Sequence, residues 1–158
     1  MKAIIVCVSV SHGNTRRIAD TIGEVLDVRV VEPEEVDPAE LTGYDLVGFG
    51  SGIFTMDFHP RLRTLIRALP PQSGTPAFVF ATSGFPEPPF RRYLRSLTTQ
   101  LGERGFETVD AFHCRGFDTW LPLTVVGGIR KGHPDDADLR AARSFAEGLR
   151  AKVNPMSH

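Results

Sequence analysis

Short β-branched runs alternate with amphipathic helical stretches along the whole chain, and that alternation restricts the fold more than any other feature. It begins with residues 2–8, a near-continuous apolar run of the kind found in strands covered on both faces. Residues 14–26 follow, with Ile18, Ile22, Val25 and Leu26 on one helical stripe. Further strands are predicted at 27–31, 45–50, 76–82 and 107–113, the third running into a turn marked by glycines. Helices are predicted at 60–69 and 90–101, and a last one starts at Pro134. The acidic segment 32–42, with Pro33 and Pro38, reads as a solvated loop holding a weak turn of helix. Repeated strand–helix units imply a parallel sheet with helices on both faces. The expected class is α/β, a three-layer doubly wound sheet of five parallel strands.

At 158 residues the chain has the size of one domain. Residues 1–153 are assigned to it, and 154–158 to a disordered tail. No apolar run approaches the ~20 residues of a spanning helix, and no small-residue cleavage site follows the first apolar stretch. The expected compartment is the cytoplasm, with no membrane span. A net charge of −1 argues against a nucleic-acid partner. Cys7 and Cys114 each sit in a strand-like run, which suits buried reduced thiols. His59, His113 and His133 have no metal-ligand spacing, so no metal is expected.

Ligands of doubly wound sheets bind beyond the carboxyl ends of the strands. After the first strand comes Ser9-Val10-Ser11-His12-Gly13-Asn14-Thr15, which leads directly into a helix. Its hydroxyls and amide can donate to a phosphate, Gly13 allows close backbone approach, and the helix end adds partial positive charge. A turn with an N-cap is the plainer reading of the same residues. Other phosphate chemistries fail: there is no Gly-Lys-Ser/Thr, no GxGxxG after this strand, no arginine closing a loop opened by Cys7, and no acidic strand ends for a phospho-receiver.

This loop is similar to the Thr/Ser-x-Thr-Gly-Asn-Thr phosphate loop of the flavodoxin family, with His12 as one extra residue. Gly50-Ser51-Gly52-Ile53-Phe54, Thr82-Ser83-Gly84 and the stretch from Gly128 to Pro134 also resemble short bacterial members. The resemblance covers nearly the whole chain. It implies strand order 2-1-3-4-5 and an FMN cofactor. Ser9, Ser11, His12, Gly13, Asn14 and Thr15 would hold the phosphate. Ser51, Gly52, Ile53 and Phe54 would line one side of the ring, and Thr82, Ser83, Gly84 and Phe85 the other.

Two features depart from better-known members. Phe54-Thr55-Met56 stands where a glycine commonly follows the aromatic, and the charge is not strongly acidic. Arg91, Arg92 and Arg95 instead make the neighbouring surface mixed or basic. Phe54 and Phe85, set by glycines, read as exposed ligand contacts at loop tips. For Trp120 the choice stays open between flavin cover and satellite core, and for His12 between ligand contact and solvation. The acidic residues Glu32, Glu34, Glu35, Asp37 and Glu40 read as a solvated face.

The leading expectation is a monomeric FMN electron carrier without catalytic side chains, between a flavin reductase and an acceptor redox protein. An FMN oxidoreductase acting on a quinone or porphyrinogen, and a flavin-free interaction module, are the alternatives.

Overall fold

The computed structural model describes residues 2–8, 14–54, 57–82, 87–114 and 136–153. Chain order runs β1 (Ala3–Val8), α1 (Asn14–Leu26), β2 (Val30–Val31), two 3-10 turns (Pro33–Glu35 and Pro38–Gly43) and β3 (Leu46–Phe54). Then come β4 (Asp57–Phe58), α2 (Pro60–Ala68), β5 (Thr75–Thr82), α3 (Glu87–Glu103), β6 (Phe106–Cys114) and α4 (Asp136–Val153). The parallel sheet has the order β2-β1-β3-β5-β6, with β4 paired antiparallel to β3. Counting the five parallel strands alone, this is the expected 2-1-3-4-5.

Two apolar clusters fill the layers on either side. Ile4, Val6, Val47, Phe49, Val79 and Ala81 point to the α2/α3 face and meet Leu62, Ile66, Leu97 and Leu101. The intervening residues, Ile5, Cys7, Leu46, Phe78 and Phe80, point to the α1/α4 face and meet Ile18, Ile22, Ala142, Ala146 and Leu149. Period-2 alternation along each strand thus feeds both faces.

Two strand expectations change. The second strand shrinks to two residues because α1 ends in a left-handed cap. Asp27 has φ 57°, and the Val28 N–H donates to the Gly23 carbonyl at 3.0 Å. The third strand does not turn at its glycines but continues to Phe54. Gly48 and Gly50 pair in register with Phe78 and Phe80 of β5. A Cβ on them would lie 2.3 Å and 2.1 Å from the Cζ atoms of those rings. The glycines therefore give space for two rings laid across the sheet; they do not mark a turn. The acidic segment forms the two 3-10 turns, both closed by capping boxes, Glu32 with Glu35 and Asp37 with Glu40.

Helix α3 starts three residues earlier than predicted, with Pro88 and Pro89 in its first turn, where N–H groups lack helical partners anyway. Pro134 and residues 154–158 lie outside the described residues.

Candidate functional site

The register brings the ends of β1, β3, β5 and β6 level. Val8 pairs with Ser51, Gly52 with Thr82, and Thr82 with Cys114. Asn14 and Thr15 open α1 beside this edge. Gly52 continues the row of Gly48 and Gly50, but its partner on β5 is a threonine, and among the described residues the side chains nearest a Cβ there are Thr15 and Thr82. The Oγ1 atoms of Thr15 and Thr82 meet at 2.6 Å, and both side chains are buried. A Cβ on Gly52 would lie 3.7 Å from Thr15 Oγ1 and 3.8 Å from Thr82 Oγ1, an ordinary contact distance. The aromatic row thus gives way, at the carboxyl edge, to a small polar notch between β3, β5 and α1.

A hydroxyl both donates and accepts. If Thr82 donates within the pair, the Thr15 proton is left for an acceptor at the helix start. There the first N–H groups and the helix dipole favour an anion.

The other face of β3 is tied down differently. Ser51 is fully buried; its hydroxyl donates to the Gly52 carbonyl at 2.8 Å and accepts the His59 N–H at 3.1 Å. His59 is the N-cap of α2: its Nδ1 accepts the Arg61 N–H at 3.0 Å, which keeps the ring proton on Nε2. Burial, then the nearby Arg61 charge, holds the His59 pKa below its usual value. The Arg61 guanidinium donates to Glu32 at 3.1 Å and to both carboxylate oxygens of Glu34. That bond pushes the Glu34 carboxyl down to about 2. A continuous set of contacts therefore runs from the acidic turn through the α2 cap to the Gly52 carbonyl.

Of the residues singled out in the sequence, Thr15, Gly52 and Thr82 come together, and Ser51 lies behind Gly52. Ile53 and Phe54 end β3 opposite Phe58 and Asp57, so Phe54 belongs to a strand pair and is not a loop tip. Ser9, Ser11, His12, Gly13, Ser83, Gly84 and Phe85 lie outside the described residues, as do Trp120 and His133. Cys7 is a buried free thiol whose pKa burial pushes up to about 12. Glu32 and Glu34 do more than face solvent, since they fix Arg61. The His59–Arg61 cap went unread in the sequence, although Pro60 at a first helical position marks the residue before it as a cap.

A family model described as a flavodoxin domain matches residues 5–120. The chain belongs to that family. This flavodoxin domain is also 34% identical, over 151 residues, to an uncharacterized protein of Methanocaldococcus jannaschii; the match covers 94% of this chain and 98% of that one. Among solved structures it is similar to the oxidised flavodoxin 2 of Bacillus cereus, with a TM-score of 0.74 and 23% identity over 96% of this chain and 99% of the other. A flavodoxin from the domain Archaea gives a TM-score of 0.71 and 22% identity, over 97% and 99% of the two chains. Those two likenesses carry the fold. No helix among the described residues of this flavodoxin domain is long and apolar enough to cross a membrane.

Proposed function

We propose that this flavodoxin domain binds FMN at the carboxyl edge of β1, β3 and β5 and carries electrons from a flavin reductase to an acceptor redox protein. The observation that supports it best is the notch where Thr15, Gly52 and Thr82 converge at the start of α1. Small residues and unoccupied hydroxyl capacity suit a phosphate and a flat ring there better than they suit a packed core. When bound, FMN supplies reversible uptake of one or two electrons.

The chain's own residues would bind and orient. Ser9, Ser11, His12, Gly13, Asn14 and Thr15 would hold the phosphate by hydroxyls, amides and the helix end, with no cation needed inside the loop. Gly52, Ile53 and Phe54 would line one side of the ring, and Thr82, Ser83, Gly84 and Phe85 the other. Ser51, expected from the sequence at the ring, is buried behind Gly52 and fixes its carbonyl by its own hydrogen bond, so the peptide at that edge is held in one orientation. The buried apolar rows behind the notch exclude water from its back wall.

The test is to reduce the FMN-loaded chain photochemically and mix it with a one-electron acceptor protein. Rapid single-turnover transfer, with no steady NAD(P)H oxidation by the chain alone, supports the carrier. Sustained NAD(P)H turnover with a quinone would reassign it to an oxidoreductase.

A further inference from the structure

The α2/α3 face carries a charge unlike the rest of the molecule. Helix α2 has Arg61, Arg63 and Arg67 and no carboxylate. Helix α3 has Arg91, Arg92 and Arg95, with acids only at its first and last residues, Glu87 and Glu103. On the opposite face, α1 and α4 mix both signs, and Arg16 pairs with Asp20.

Placement separates these arginines by role. Arg61 reaches the acidic turn and is neutralised there by Glu32 and Glu34. Arg63 lies on the opposite flank, where its Nη2 donates to Ser96 Oγ of α3 at 3.1 Å and ties the two helices together. Arg67 stands one turn after Arg63, and Arg92 one turn before Ser96. Arg67, Arg92 and Arg95 are exposed, and among the described residues no carboxylate pairs with any of them. Both helices carry the chain back between parallel strands, so their first turns lie at the strand carboxyl ends. Arg92, in the second turn of α3, is therefore on the half of the face nearer the Thr15–Thr82 notch, Arg95 stands at the middle of that helix, and Arg67, in the last turn of α2, lies toward the strand amino ends.

Unpaired cations on two packed helices repel one another, and a surface of opposite charge relieves that repulsion. Guanidinium groups match carboxylates in shape as well as charge. On the far flank of α2, the acidic turns keep a net negative charge after Glu32 and Glu34 pair with Arg61, since Glu35, Asp37 and Glu40 are exposed, and that charge would repel an acidic partner displaced that way.

We propose that the α2/α3 face docks an acidic redox protein, with Arg92 and Arg95 meeting its carboxylates on the flank below the edge where electrons leave, and Arg67 meeting them further along the face. This rests on the FMN electron-transfer reading above.

The experiment uses soluble cytochrome b5 as an acidic probe and cytochrome c as a basic one. The FMN-loaded chain is reduced and mixed with each by stopped flow, between 20 and 500 mM salt. Transfer to cytochrome b5 should fall about tenfold or more across that range, while transfer to cytochrome c does not fall. The R67E/R92E/R95E variant should lose about tenfold at low salt with cytochrome b5, and keep its FMN affinity and unfolding midpoint. Amide shifts of the labelled chain on adding cytochrome b5 should cluster in residues 60–68 and 92–99. A flat or rising salt profile, shifts on α1 and α4, or equal displacement by a short DNA duplex would overturn the proposal. If the chain binds no FMN, the carrier reading fails, and the amide shifts on the flavin-free chain still decide where cytochrome b5 docks.

Discussion

The hydroxyls of Thr15 and Thr82 lie 2.6 Å apart although 67 residues separate them, and this buried bond fixes the start of α1 against the end of β5. Each hydroxyl is the other's partner in a place water reaches poorly. Thr15→Val or Thr82→Val alone should therefore cost about 1–2 kcal/mol, because it orphans the remaining hydroxyl. The double variant should cost less than the sum of the two. Urea unfolding of all four proteins measures this, and simple additivity would show that the pair does not interact.

Gly50 and Gly52 occupy equivalent positions on β3 but face different neighbours. A methyl on Gly50 collides with the Phe80 ring, whereas one on Gly52 makes an ordinary contact. Gly50→Ala should lower stability by about 1–3 kcal/mol, and Phe80→Leu in the same chain should recover part of that loss. Gly52→Ala should unfold within about 1 kcal/mol of the parent while weakening FMN binding.

His59 links pH to the α2 cap. Its pKa is lowered in the folded chain from an ordinary 6.5, by burial and then by Arg61, with Glu34 opposing. The unfolded chain thus binds more protons once the pH falls below about 6.5. The stabilising contribution is complete above that value and declines as the pH drops through the folded pKa. His59→Asn keeps a capping acceptor but does not titrate. Between pH 7.5 and 5 it should lose less stability than the parent, and equal losses would place the acid sensitivity elsewhere.

Cys7 should be inert in the folded chain. Its side chain is 1% exposed and its thiol is pushed up to about 12, so little thiolate forms near neutrality. In a Cys114→Ser background, iodoacetamide at pH 8 should label it only as fast as the chain unfolds. Labelling that is complete before unfolding would contradict the burial of β1.

Much of the fold was legible because local pattern and tertiary role coincide. The apolar runs of β1 and β5 report strands covered on both faces, and the 3.6-residue stripes of α1 and α2 each report one covered face. What was misread depended on partners far away in sequence. Gly48 and Gly50 resemble turn residues until Phe78 and Phe80, some 30 positions later, are laid across them. Residues 27–29 are the local exception: they resemble strand until the left-handed cap at Asp27, closed by the Val28 N–H on the nearby Gly23 carbonyl, takes up the chain. At the candidate site, Thr15 and Thr82 were singled out separately, but no local signal shows that they bond to each other. The Ser51–His59–Arg61 contacts were missed because their residues come from a strand end, a helix cap and the first turn of that helix.

The most direct measurement is a fluorescence titration of the flavin-free chain with FMN, repeated with riboflavin and with the Ser11→Ala and Thr15→Ala/Ser11→Ala variants. One-to-one quenching by FMN is expected, weakened about 10- to 100-fold in the double variant and less in the single one, since each lost phosphate bond removes about 1 kcal/mol or more. Riboflavin lacks the phosphate, so its weaker binding should not change between parent and variants. Absence of FMN quenching, or a double variant that binds FMN as tightly as the parent, would contradict a phosphate site at the start of α1.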